Sequence, residues 1–190
     1  RVLLCHHAAA TRTEEAKGEA MSTRVEQFVE RHRGQSRIVI VGGPSRGKST
    51  LAHEFHEQGW PVYCGDPAST VRFQKPYTHY LPEGLPFSGD GGAADWVSWN
   101  WFMMEGPWVC EGHVMARALR RWLNRGHSKE WLHAHGHKPY MISVPCDRII
   151  VLDRPAHRPC SPRQDGMHDG VMTQWRQIAQ YLTDITEVLT

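Results

Sequence analysis

No apolar run in the 190-residue chain approaches the ~20 residues of a membrane-spanning helix, so no span and no membrane partner are expected. An excess of one charge is missing too. Twenty-two basic residues stand against 20 acidic ones, so the chain as a whole carries no polyelectrolyte signature of nucleic-acid binding. Cysteine is sparse. The five (Cys5, Cys64, Cys110, Cys146, Cys160) are odd in number and widely spaced, and Cys64 and Cys110 sit in apolar strand-like runs. That pattern excludes a disulfide framework and leads us to expect reduced thiols in a cytoplasmic compartment. Arg1 to Ala20 has no clear pattern, no initiator methionine and no proper signal-peptide core; Met21 is read as a candidate native start. The length suits one domain with a full core. We divide it into an N-terminal extension and helix, residues 1–35, and a main domain, residues 36–190.

What is present centres on Gly42-Gly43-Pro44-Ser45-Arg46-Gly47-Lys48-Ser49-Thr50, which fits G-x-x-x-x-G-K-[ST], the phosphate-binding P-loop. Gly42 and Gly47 permit backbone angles that let successive N–H groups curl around phosphate oxygens. Lys48 has the reach for β- and γ-phosphates, and the Ser49 hydroxyl suits Mg²⁺. The β-branched run Arg37 to Val41 reads as a buried strand before the motif. Ser49 to His56 reads as a helix after it, with Leu51, Ala52 and Phe55 at helical spacing. Strand, glycine turn and helix come in the order that aims a helix N-terminus at an anion.

Three further strands are read at Pro61 to Cys64, Pro107 to Cys110 and Arg148 to Leu152. Helices are read at Thr23 to Arg33, Ala93 to Met104, Val114 to Leu123 and Val171 to Leu189. The last carries an apolar stripe of Val171, Trp175, Ile178, Leu182, Ile185 and Leu189. Pro76 to Phe87, proline-rich and aromatic, reads as an irregular loop on the substrate side. Asp153 to Gly170 reads as a proline- and arginine-rich loop in which Pro155, Pro159 and Pro162 make a continuous helix unexpected. Alternating strands and helices predict a short parallel sheet with helices on both faces, so that ligands bind beyond the carboxyl ends of the strands.

Gly42 to Ser49, Asp66, Glu111 and Asp153 all fall at such ends. Phosphoryl transfer needs positioning and charge neutralisation more than covalent help. Glu111 is read as the acid that reaches Mg²⁺ beside Ser49, and Asp66 as the base that orients an incoming hydroxyl; the two roles are exchangeable at this stage. Either acid also suits the plainer task of capping the next helix. Arg154, Arg158 and Arg163 are candidates for a loop that closes guanidinium groups onto a transferring phosphate, or for a solvated surface. Between Arg117 and Arg163 ten Lys/Arg meet three Asp/Glu, and Arg117, Arg120 and Arg121 are candidates for acceptor phosphates. The alternation His133, His135, His137 hints at a metal, but no acid or cysteine lies near. The eight tryptophans are mainly core or loop packing, with base stacking the alternative.

Gly42 to Ala52, the acids at Asp66 and Glu111, and the arginine loop after Arg148 to Leu152 together resemble the nucleoside-monophosphate-kinase branch of P-loop proteins. Shikimate- and gluconate-type kinases share that plan, and Asp66 matches their acceptor-side Asp. The wording from Gly42 to Ala52, with Trp108-Val109-Cys110-Glu111-Gly112-His113 leading to Arg117-Ala118-Leu119-Arg120, resembles phage-type kinases that phosphorylate 5-hydroxymethyluracil in DNA. The likeness runs from Ser36 to Leu189. It implies a three-layer α/β P-loop NTPase fold, ATP and Mg²⁺ as cofactors, and DNA as acceptor in thymine hypermodification. It also implies the host cytoplasm as location if the chain is phage-encoded. The alternatives are a small-molecule or nucleotide kinase and, in another class, an NTP-binding switch or assembly factor. No fifth strand is read after the arginine loop, which leaves the adenine pocket without a place.

Overall fold

The structure, a computed structural model, describes residues 27, 37–67, 79–86, 89–126, 144–156 and 159–190. The chain divides into two units, Arg1–Arg33 and Gly34–Thr190. Every element below belongs to the second. Of the first only Gln27 is described, an exposed helical residue, so the expected helix from Thr23 to Arg33 lies outside the described residues.

β1 (Arg37–Gly42) is the centre of a six-stranded sheet. Its residues Ile38 to Val41 are all fully buried. A strand covered on both faces should read as a continuous apolar run, and this one does. The others are β2 (Val62–Pro67), β3 (His79–Leu81), β4 (Trp108–Glu111), β5 (Arg148–Leu152) and β6 (Thr186–Leu189). Their order is β3-β2-β4-β1-β5-β6, and every neighbouring pair is parallel.

Four α-helices lie among the described residues: α1 (Lys48–Glu57), α2 (Ala93–Asn100), α3 (Met115–Gly126) and α4 (Pro162–Arg176). Alternation along each strand sorts their faces. Val39, Val41, Cys110, Ile149 and Val151 join one core with Val97, Met115, Leu119, Val171 and Trp175 of α2, α3 and α4. The opposite face is left to α1, whose Leu51, Ala52 and Phe55 are buried while it packs on β1, β2 and β4. The protein is therefore α/β, with an all-parallel sheet flanked by helices on both faces. The chain leaves β1 through α1 towards β2, and after β4 crosses back over β1 to β5. The direction reverses beside β1, and ligands of open parallel sheets bind at the carboxyl ends there.

Three expectations are corrected. The final segment is not one helix from Val171 to Leu189. α4 ends at Arg176, two 3₁₀ turns follow (Ala179–Tyr181 and Thr183–Ile185), and Thr186–Leu189 pairs with β5 as the missing strand. The apolar stripe still packs, since Val171, Trp175, Ile178 and Leu182 are all buried. The loop from Asp153 to Gly170 contains the start of α4. Pro162 sits where its missing N–H costs nothing, behind a capping box in which Gln164 N–H donates to Ser161 Oγ (3.4 Å) and Ser161 N–H to Gln164 Oε1 (2.9 Å). The stretch from Pro76 to Phe87 is not wholly irregular, because His79–Leu81 adds an edge strand to β2. Among the described residues no helix is long and apolar enough to cross a membrane. The described cysteines, Cys64, Cys110, Cys146 and Cys160, are free thiols. Burial raises the Cys110 and Cys146 thiols above their ordinary range, so both stay protonated in the core.

Candidate functional site

The turn from Gly42 to Gly47 links the carboxyl end of β1 to α1. Ser45 has φ 57° and Gly47 φ 87°, two left-handed residues in three positions. Such a turn points N–H groups inward. Gly47 occupies the N-cap of α1, and no side chain caps the helix. Its first amides and the positive end of its dipole therefore face the crevice. Lys48 is 9 % exposed and arches back over the turn, donating from Nζ to the Gly43 carbonyl at 2.7 Å. Ser49 is half-buried, while Thr50 points to solvent.

Glu111 ends β4, opposite Ile40 of β1 and Cys64 of β2. It is fully buried. Ser49 Oγ donates to its Oε1 at 3.4 Å and Cys64 Sγ at 3.2 Å. A buried carboxylate needs such donors to offset desolvation. Asp66, at the end of β2, lies in a wetter place with its side chain 29 % exposed, and its Oδ1 is 3.0 Å from His113 Nδ1. A pair of glycines brings these strand ends together. Gly112 has φ 140°, and a Cβ on it would stand 2.8 Å from the Gly65 Cα. The structure thus separates two acids that the sequence left interchangeable. Glu111 belongs with Ser49 and Asp66 with His113.

The segment after β5 covers the turn. Arg46 and Arg154 clasp each other: Arg46 Nη1 donates to the Arg154 carbonyl and Arg154 Nε to the Arg46 carbonyl, both at 2.8 Å. The Arg154 guanidinium lies where a Cβ on Gly47 would be. From α4, Asp165 Oδ1 is 3.6 Å from Arg46 Nη2. His168 presses on Gly43 so closely that a Cβ there would stand 2.4 Å from its own Cβ. Its Nε2 is 3.6 Å from Asp153 Oδ1, and its buried Nδ1 has no hydrogen-bond partner among the described residues. Burial first, then Arg46 and Lys48, lower the His168 pKa against the opposing pull of Asp153 and Asp169. Arg158 lies outside the described residues. Arg163 is exposed on the first turn of α4.

The basic helix α3 is more committed than its composition suggests. Arg121 Nη1 is 3.1 Å from Asp90 Oδ1 and its Nε 3.7 Å from Asp95 Oδ1. Arg120 donates to Gln177 at 2.8 Å. His133, His135, His137 and Tyr77 lie outside the described residues. Sequence reasoning gave no part to His168 or Cys64. Neither carries a motif, and each meets the site only through tertiary packing.

Comparisons of the chain with protein-family models, with curated proteins and with solved structures find no match. Fold and site together define an α/β protein with a glycine turn and an uncapped helix N-terminus where its parallel sheet reverses direction. That arrangement offers N–H groups and a lysine to an anion, and a hydroxyl beside a buried carboxylate to a hard cation. Among the described residues no group of three or more His, Cys, Asp or Glu could hold a metal unaided.

Proposed function

We propose that the chain is a P-loop NTPase-fold kinase that transfers the γ-phosphoryl group of ATP to a hydroxyl. The favoured acceptor is the hydroxymethyl group of 5-hydroxymethyluracil in DNA. One observation carries the phosphotransfer reading: Ser49 Oγ meets the buried Glu111 carboxylate at the uncapped start of α1. Magnesium usually keeps several waters and takes one or two carboxylates plus substrate phosphates. Ser49 and Glu111 fit that donor set, and Mg²⁺ held there would neutralise charge on the β- and γ-phosphates.

The remaining roles fall to residues around the turn. Backbone N–H groups of Gly43 and of Ser45 to Ser49 bind the phosphates. Lys48 exchanges the Gly43 carbonyl for phosphate oxygens. Arg154, seated against Gly47, carries positive charge to the transferring group. Asp66 accepts the proton as the acceptor oxygen bonds to phosphorus and the bond to the leaving ADP breaks, and His113 holds its carboxylate in place. The choice of a DNA base rests on the resemblance of Gly42 to Ala52 and Trp108 to Arg120. The basic stretch from Arg117 to Arg163 lends it less than composition suggests, because Arg120 and Arg121 have partners within the fold.

The test is γ-labelled ATP with unmodified DNA, 5-hydroxymethyluracil DNA and a panel of free nucleosides, followed by digestion to locate the label. Label on 5-hydroxymethyluracil in DNA is the expected result. Label on a free nucleoside instead replaces the acceptor by a small molecule. Release of phosphate that no acceptor accelerates replaces the kinase by a nucleotide switch.

A further inference from the structure

α4 lies across the glycine turn, and its His168 presses on Gly43. A Cβ on Gly43 would stand 2.4 Å from the His168 Cβ and 2.6 Å from its Nδ1. The phosphotransfer reading gives this imidazole no part. We propose that His168 is an anion-linked proton site: neutral in the free protein, it takes up one proton from solvent when a phosphate group settles on the turn, so that phosphate binding and proton uptake are coupled. The inference rests on the reading of the turn as a phosphate site and adds to it a group that responds to the ligand's charge.

Enclosure comes first. The side chain is 12 % exposed, and Nδ1 is buried with no hydrogen-bond partner among the described residues. Nε2 stands 3.6 Å from Asp153 Oδ1, beyond hydrogen-bond reach, so that acid attracts a proton without fixing it. With Nε2–H turned towards Asp153, Nδ1 is the atom open to a second proton, and it lies against the turn. The charges come second. Burial does most to hold the imidazole neutral, and Arg46 of the turn and Lys48 of α1 act in the same direction. Asp153 after β5 and Asp169 of α4 oppose them without prevailing. Asp165, also on α4, faces Arg46 Nη2 at 3.6 Å and tempers that guanidinium. A ligand reverses the order. A phosphate group brings about 1.5 to 2 negative charges. It also draws onto its own oxygens the Lys48 ammonium, which in the free protein donates to the Gly43 carbonyl at 2.7 Å. Both changes favour the imidazolium, and at a buried contact salt screens them little. An opposite charge within about 4–6 Å changes a group's proton affinity by about tenfold to a thousandfold. His168 touches the backbone of the turn and not the anion itself, so the low end of that range, about tenfold, applies.

The test uses sulfate, a tetrahedral dianion whose charge is constant between about pH 5 and 8, so that any pH dependence belongs to the protein. The full chain is titrated with sulfate across that range while chloride holds the ionic strength constant. The His168 imidazole resonance is followed by NMR and identified by its loss in His168→Gln. Bound sulfate should make His168 hold its proton about tenfold more tightly, and sulfate should bind up to about tenfold more tightly at the acid end of the range. His168→Gln should bind sulfate without that pH dependence. His53→Gln, at a 47 % exposed histidine of α1 paired with Glu57, should keep it. Calorimetry of the wild type in two buffers of different ionisation enthalpy should show net proton uptake near about pH 6, a reading that needs no variant. Sulfate binding with the His168 titration unmoved overturns this inference alone. Full pH dependence in His168→Gln overturns it as well. Absence of sulfate binding overturns it too, and absence of ATP binding besides removes the phosphate reading on which it rests.

Discussion

Gly43 occupies a position that the phosphate-loop pattern leaves open, yet the structure demands glycine there. A Cβ on it would meet His168 at Cβ (2.4 Å), Cα (2.6 Å) and Nδ1 (2.6 Å). The first two are a helix backbone and its first side-chain atom, which cannot swing away. Carbon atoms pack best at about 3.5–4.0 Å, so Gly43→Ala must push α4 and the turn apart by at least about 1 Å. Overpacking of this kind costs about 1–3 kcal/mol. For a chain of this size each kcal/mol moves the melting point by about 2–4 °C, so a drop of roughly 2–12 °C is expected. Gly170 is the internal control. It lies inside α4 with nothing within 4 Å of an added Cβ. Gly170→Ala should gain about 1 kcal/mol and raise the melting point by roughly 2–4 °C. Calorimetric melts of the full chain read both variants, and ATP titrations read the site. Gly43→Ala should weaken ATP binding and Gly170→Ala should not. If Gly43→Ala melts at the wild-type temperature, α4 is not seated on the turn and the account of the site's cover fails.

Lys48→Ala should leave a folded protein, losing about 1 kcal/mol with the bond to Gly43, while phosphoryl transfer falls by orders of magnitude; near-normal transfer would take the glycine turn out of the mechanism. Asp66→Asn should slow the chemical step by about 10²–10⁴-fold with ATP affinity kept. Glu111→Gln should instead shift the Mg²⁺ titration to higher concentration, and superimposable Mg²⁺ profiles for the two variants would defeat the division of roles. His168 has a pKa below the usual 6.5, so between its folded pKa and 6.5 the unfolded chain binds more protons than the folded one. Stability should therefore be lost as pH falls through that window and carry no penalty from His168 above it. His168→Gln should lack this loss, so the wild-type-minus-variant melting temperature should fall as pH drops below about 6.5, and a pH-independent difference would place His168 in an ordinary surface environment.

What could be read from the sequence was local. The β-branched run before Gly42, the glycine turn and the apolar spacing of Leu51, Ala52 and Phe55 lie within about twenty residues of one another, and β1 and α1 form there. Arg148 to Leu152 matched its strand to the residue. What failed was set by tertiary context. The stripe from Val171 continues to Leu182 through a change from helix to 3₁₀ turns, so periodicity ran on past the end of α4. The strand Thr186–Leu189 is short and half-exposed at a sheet edge, and carries no buried apolar run. The start of α4 is legible in Ser161-Pro162-Arg163-Gln164, a capping box with proline at N1, a position where proline opens a helix instead of breaking it. Nothing in the sequence joins His168 to Gly43 or Arg121 to Asp95. Those contacts depend on how helices far apart in the chain lie against the sheet.

The site owes its compactness to missing side chains. His168 rests on Gly43 and Gly112 on Gly65, and in both pairs a Cβ would force apart elements that lie far from each other in sequence, while at Gly47 it would displace the Arg154 guanidinium. Close approach, once achieved, sets the electrostatics. Glu111 is sealed between β1, β2 and α1, where its charge is held by Ser49, by Cys64 and by the positive end of α1. A carboxylate in that position turns its Oε1 to Ser49 and Cys64 and is shut off from solvent. Asp66, one strand over and partly exposed beside His113, has the opposite balance. Metal binding and proton removal ask for opposite surroundings. The convergence of β2 and β4 through two glycines supplies both within one crevice, and this is why the two acids take distinct roles in the proposed reaction.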